Sequence, residues 1–365
     1  MPRVRICAAT LFLLAGCASP SPSASGVASQ SSSAKPTPLA TTSATIAALP
    51  DWSRLTPSGR TPSAREDHTW TLTTDAATAY LFGGRTSDGT ALGDLWEYDL
   101  ALEQWTLISE TGPAARFGHN AAWVQGVGLV LFAGQAGGTF YNDLWAFDPD
   151  THTWAELPAS GAVPVPRYGS CAAIGPDGRL WISHGFTEGG QRFADTRAYD
   201  FTTHAWTDET PVADAPIQRC LHACWWTDDG TFALYAGQTT GTNSLGDLWW
   251  LSVGERPGTN AWARQPDAGL PPARNLYAAA RLGTGTLVFG GQALDGTALN
   301  DVWWLSDAGP AVTVQAVEPA PPGRWGAELV IDPSQGRALL FGGRDADGAK
   351  DDVWELTVGA GVIAP

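Results

Sequence analysis

The stretch LFGGRTSDGTALGDLWEYD, Leu81–Asp99, joins a short apolar run to two glycines, a polar loop and an Asp-Leu-Trp triplet. Five further segments repeat this layout: LFAGQAGGTFYNDLWAFD from Leu131, SHGFTEGGQRFADTRAYD from Ser183, YAGQTTGTNSLGDLWWLS from Tyr235, FGGQALDGTALNDVWWLS from Phe289 and FGGRDADGAKDDVWELT from Phe341. The second glycines, Gly84, Gly134, Gly185, Gly237, Gly291 and Gly343, are 50, 51, 52, 54 and 52 residues apart. Self-similarity at such a period marks an array of units, each too small to bury its apolar face alone. Around the first segment, EDHTWTLTT, AYLFGG, DLWEYD and EQWTLIS read as four short strands separated by turn residues, with no helical periodicity. A four-stranded unit of this length is a blade of a β-propeller.

Other residues keep the same period. Arg65, Arg116, Arg167, Arg219, Arg274 and Arg324 open the units, and Asp94, Asp143, Asp195, Asp247, Asp301 and Asp352 open the third strands. Trp105, Trp154, Trp206 and Trp262 mark fourth strands, while the fifth unit has AVTVQAV there and the sixth stops after DDVWELTV. The missing strand is sought at the other end of the chain. Trp52 precedes Arg65 by 13 residues, the interval from Trp154 to Arg167 and from Trp206 to Arg219. The expected fold is therefore all-β, a six-bladed propeller over residues 50–358 closed by an N-terminal outer strand, which leaves no unpaired blade edge at the seam. Arg before the first strand, Gly-Gly after the second and Trp in the third and fourth resemble the kelch repeat, over that whole range. The third unit departs from the pattern, with His184-Gly185 and Asp195-Thr196-Arg197.

The chain has 365 residues, 44% apolar, with 18 Trp and a net charge of −16. That composition supports a core, and the negative surface disfavours nucleic acid and anionic lipid. Arg3 and Arg5 precede an apolar run, Ile6–Ala15, too short to span a bilayer. Leu14-Ala15-Gly16-Cys17 resembles a bacterial lipobox. It implies a signal peptide over 1–16, lipidation of Cys17 and an exported protein held on the outer side of a bacterial cell membrane. Residues 17–48, rich in Ser, Ala, Thr and Pro, read as a disordered stalk. In an oxidising compartment Cys171, Cys220 and Cys224 allow one disulfide and one free thiol. Cys220 and Cys224, four apart in an expected strand, would lie about 13 Å apart, too far to bridge without a bend, so Cys171 pairs with one of them, Cys171–Cys224 being the working assignment.

Strand topology puts the repeat arginines and the loops after the glycines on one face. Those loops open with Arg85, Gln135, Phe186, Gln238, Gln292 and Arg344, which vary while the scaffold repeats. With Arg324 and Trp325 they form the expected ligand-binding set, the arginines for anionic groups and Trp325 for a stacking partner. The periodic Arg and Asp read foremost as ion pairs between blades or as turn caps. His68, His119 and His222, third after their arginines, would look into the central channel and read as packing, with metal binding the weaker option.

The kelch resemblance also brings in galactose oxidase-like domains, whose copper chemistry finds no matching residue set here. A six-bladed envelope sugar mutarotase is another architectural likeness. It offers the alternative of a sugar epimerase or mutarotase with Glu66 and Glu328 moving protons. The reading taken forward is a membrane-tethered, monomeric binding or scaffolding module for a protein or glycan, without a cofactor and without nucleic acid as a partner.

Overall fold

A computed structural model describes residues 51–255, 258–308, 311–314 and 319–358. The expected signal segment, Cys17 and the stalk lie outside those residues. The described chain is made of strands and turns, with two three-residue 3-10 turns, Glu188–Gly190 and Thr240–Thr242, and no α-helix. Short runs rich in β-branched and aromatic residues, each ended by Gly, Asp or Asn, explain this.

Each repeat forms an antiparallel four-stranded sheet. In the first, Thr69–Leu72, Thr78–Phe82, Leu95–Asp99 and Gln104–Ser109 pair in chain order. The second repeats this with Asn120–Val124, Gly128–Phe132, Leu144–Asp148 and Thr153–Glu156. The third has Cys171–Ile174, Leu180–Ser183, Thr196–Asp200 and Ala205–Asp208. The fourth begins at Ala223–Trp226 and the fifth at Ala278–Leu282, and Arg274–Asn275 links their sheets. In the fifth unit Val312–Val314 supplies the fourth strand although it has no Trp. The sixth contains Trp325–Asp332, Arg337–Asp345 and Val353–Thr357, and its outer strand is Asp51–Leu55, with Trp52 opposite Leu356.

The core lies between neighbouring units. Trp70, Tyr98 and Trp105 of the first unit cluster with Leu339, Phe341 and Val353 of the sixth. Fourth-strand Trp rings meet a second-strand Phe of the preceding unit: Trp105 on Phe341 at 5.2 Å, Trp154 on Phe82 at 5.4 Å, Trp206 on Phe132 at 4.9 Å and Trp52 on Phe289 at 5.3 Å. Trp52, from the far end of the chain, thus makes the sixth unit's version of a contact that the second and third units make with the unit just before them in sequence. Aromatic pairs of this kind add to the apolar burial.

Two residues after each repeat arginine the backbone takes a left-handed conformation, at Asp67, Gly118, Gly169, Leu221, Leu276 and Gly326, with φ between 53° and 64°. The N–H of each donates to the C=O of its counterpart next door. Gly118 donates to Asp67, Gly169 to Gly118, Leu221 to Gly169, Leu276 to Leu221, Gly326 to Leu276 and Asp67 to Gly326, at 2.7–3.2 Å. The six bonds run as a continuous cycle at the head of the inner strands, and they place the residues described next.

Candidate functional site

The repeat arginines belong to the scaffold. Arg65 is fully buried and forks onto Asp94 with two bonds of 2.8 Å, while also donating to the Gly83 carbonyl at 2.9 Å. Arg116–Asp143, Arg167–Asp195, Arg219–Asp247, Arg274–Asp301 and Arg324–Asp352 repeat this. The pairs were expected between units, but each lies within one unit. It is the arginine's backbone that crosses, since the Gly84 N–H donates to the Arg116 carbonyl and the Gly343 N–H to that of Arg65. Burial works to raise the six carboxyls, yet the bidentate guanidinium outweighs it and holds them below the usual carboxylate range. Arg324, expected to touch a ligand, is 1% exposed and spent on Asp352 and the Gly342 carbonyl.

Arg85 and Arg344 are differently placed. Their side chains are 30% and 33% exposed, and both hold Glu66 Oε1, at 3.2 Å from Arg85 Nε and 3.0 Å from Arg344 Nη1. Arg85 also reaches Asp67 Oδ2 at 3.0 Å and lies 4.6 Å from the centre of the Phe117 ring. With Ser87, Asp88, Gly89 and Trp325, these three residues surround a cavity of about 330 Å³ on the loop face. Phe186, packed on Tyr168 at 5.0 Å and on Phe140 at 5.7 Å, continues an aromatic patch along this face. Gln238 accepts from Arg192 at 3.1 Å, Gln135 folds back on Gly137 at 3.0 Å, and Gln292 is half-buried on its strand.

A second cavity, of about 510 Å³, runs between the inner strands and is lined by all six units. His68, His119 and His222 border it, but their rings pack edge-on against the preceding unit: His68 on Phe341, His119 on Phe82 and His222 on His184. Burial drives His119 down to about 3 and the other two well below the ordinary imidazole value, so all three are neutral. Among the described residues no group of three or more His, Cys, Asp or Glu is placed to hold a metal. Cys171 and Cys224 form a disulfide between the inner strands of the third and fourth units, and Cys220 is free and buried, its thiol pushed up to about 11 by burial.

Glu66 and Glu328 do not meet. Glu66 borders the loop-face cavity and Glu328 the channel. The partner of Glu328 is Asp67, which sequence reasoning passed over. Burial lifts the Asp67 carboxyl to about 6 against the pull of Arg85, and Glu66 adds to the rise. Burial, then the charge of Asp67, lifts Glu328 to about 8. A signal was present in the sequence: Asp67 occupies the position that is Gly in three other units and Leu in two, a left-handed position that Asp tolerates.

A family model, the KLHDC2/KLHL20/DRC7 Kelch-repeats domain, matches residues 44–234, just over half of the chain. The chain belongs to the kelch-repeat family. All-β units carrying this repeat fit a β-propeller. Among similar proteins, acyl-CoA-binding domain-containing protein 5 of Arabidopsis thaliana is 35% identical over 144 residues, 39% of this chain and 22% of the relative. Adagio-like protein 3 of Oryza sativa subsp. japonica is 27% identical over 287 residues, 73% of this chain and 44% of the relative. Kelch domain-containing protein 3 of Bos taurus is 28% identical over 250 residues, 63% of this chain and 62% of the relative. The chain therefore spans less than two thirds of the length of each. Kelch-repeat relatives of this kind suggest a protein-interaction module.

Proposed function

We propose that residues 51–358 form one closed six-bladed kelch propeller that binds a protein partner through its loop face. The cycle of six backbone hydrogen bonds and the pairing of Asp51–Leu55 with Val353–Thr357 support the blade count and closure. The observation that carries the binding reading is the loop-face cavity, where Arg85, Arg344 and Trp325 stand partly exposed, with Arg85 against the Phe117 ring. Arg and large aromatics dominate binding energy at protein interfaces because they bury much area at low entropic cost. A glycan stacking on Trp325 is the second ligand class this face fits.

Arg344→Ala with Trp325→Ala tests this, in capture of partners from envelope extract followed by titration of the recovered partner. Loss of at least tenfold in affinity is expected, with the thermal transition retained. Unchanged capture moves the interface to another face.

Tethering rests on the first 17 residues alone, since the relatives named above come from plants and cattle. The proposal is that Cys17 is acylated and the protein sits on the outer side of a bacterial membrane. More than one acyl chain is needed for stable anchoring. Labelling with an alkyne palmitate analogue should mark the wild type and not Cys17→Ala, and an unlabelled wild type removes the anchor from the proposal.

A further inference from the structure

The loop-face cavity and the channel share no lining residue. The backbone cycle lies between them: Glu66 and Trp325, just before it, border the loop-face cavity, and Asp67 and Gly326, within it, border the channel. The Asp67 side chain bends over Gly326, where an added Cβ would come within 2.7 Å of Oδ1, and Tyr168 donates to Asp67 Oδ2 at 3.0 Å. The channel lining runs on to Arg281 and Ile331 at the opposite end of the inner strands.

At the inner end two carboxyl groups have bonding capacity to spare. Asp67 has a side chain only 2% exposed, and its Oδ1 is buried with no hydrogen-bond partner. Glu328, two residues past the cycle, is half-buried and lines the same cavity, and its side chain makes no hydrogen bond or ion pair. A buried acceptor without a donor, as Asp67 Oδ1 is, is costly and calls for a donor that the described protein does not supply, and the unpaired Glu328 carboxyl faces the same cavity. Small side chains, Thr69, Ala121, Ala172, Ala223 and Ala280, line part of the wall, beside larger ones such as Leu72 and Leu329.

We propose that the inner end of this channel binds a primary ammonium group on a slender aliphatic chain, its charge held by Glu328 and the free oxygen of Asp67. An ammonium offers three donors and no acceptor, matching the unpaired Glu328 carboxyl and the one unpaired oxygen of Asp67. The methylenes lie along the alanines of the wall.

The protonation behaviour agrees. The titratable groups on or just before the strands packed against that of Glu328 are Asp67 and His68 of the first unit, Tyr277 and Arg281 of the fifth, and Arg337, Arg344 and Asp345 of the paired strand in its own sheet, with Asp332 at the end of its own strand. After burial, Asp67 is the one whose charge acts on it. Glu328 therefore keeps its proton at neutral pH, and a bound ammonium must displace it. Between pH 6 and 8 the dissociation constant should fall about tenfold per pH unit, as one proton leaves on binding.

The test is calorimetric titration of the full chain with cadaverine at pH 6, 7 and 8. Saturable binding that tightens with pH, releases a proton and is lost in Glu328→Gln supports the site. Asp67→Asn, which keeps a residue suited to the left-handed position, should weaken it at least tenfold. Trp325→Ala alone should leave it unchanged, which separates this site from the loop face. A lysine-bearing peptide that competes assigns the ammonium to a partner's side chain, and one that does not assigns it to a small amine. No saturable binding by folded wild type, or binding that survives Glu328→Gln, overturns the proposal.

Discussion

In the first unit Asp94 holds Arg65 and also accepts from Trp96 Nε1 at 2.6 Å; in the third, Asp195 holds Arg167 and accepts instead from Arg197 Nε at 3.2 Å. The Gly83 carbonyl that takes the guanidinium of Arg65 is replaced by that of His184, at 2.8 Å from Arg167. His184 has φ of 59° against 64° for Gly83, and Ala133 and Ala236 take the same place at 66° and 56°. The divergent third unit has therefore lost the motif's letters and kept its hydrogen bonds. What repeats is a buried guanidinium, a carboxylate with a second donor, and a left-handed carbonyl, and several side chains satisfy each role.

The largest expected effect breaks the comparison directly. Asp94→Ala leaves Arg65 buried and unpaired, and should cost about 3–5 kcal/mol. Asp195→Ala should cost the same within about 1 kcal/mol in chemical denaturation, if the two units are equivalent. A much smaller loss for Asp195→Ala would show that the third clasp is vestigial.

Next comes the inner-strand position two residues past the backbone cycle, where the third unit has disulfide-bonded Cys171 and the sixth has Glu328. In the folded protein Glu328 holds its proton to about 8, whereas unfolded it ionises near 4.5. The unfolded state therefore binds fewer protons through that window, and wild-type stability falls as pH rises from 4.5 to 8. Glu328→Gln escapes the loss, so it should match wild type at pH 4.5 and exceed it by roughly 2–4 kcal/mol at pH 8. Parallel stability curves for the two proteins would remove the buried-carboxyl account.

The second glycines sharpen the comparison at smaller cost. A Cβ on Gly84 would lie 2.8 Å from His68 Cβ and 2.9 Å from the Glu66 carbonyl, while on Gly185 its nearest neighbours are at 3.1 Å, with φ of 96° and 106°. Both substitutions to Ala strain the backbone, and Gly84→Ala should cost about 2–3 kcal/mol, about 1 kcal/mol more than Gly185→Ala, by thermal denaturation. Smallest is loss of the extra donor to the carboxylate. Trp96→Phe and Arg197→Met should each cost about 1 kcal/mol. A neutral Arg197→Met would mean that its contact with Asp195 is incidental.

The unit boundaries, the four strands and the seam at Trp52 were legible because apolar and turn residues recur with a strand period inside a 50-residue period. The site was legible in part. Arg85, Arg344 and Trp325 stood out as variable residues on a repeated frame, and they share one cavity. Arg324 was misplaced because a repeat residue was credited with a surface role, and Asp67 was missed because its neighbours matter more than its spacing. Nothing along the chain links Asp67 to Tyr168, 101 residues away, or Glu328 to Asp67.

By itself the sequence determined the repeat, the strand pattern and the recurrence of one Arg and one Asp in every unit, since all depend on local periodicity, while the structure decided that each Arg holds the Asp of its own unit. Tertiary structure alone decided which carboxyl groups face one another, which guanidinium groups remain accessible and where the channel is divided from the loop face. Those outcomes depend on desolvation and on contacts between units, and neither is encoded in spacing along the chain.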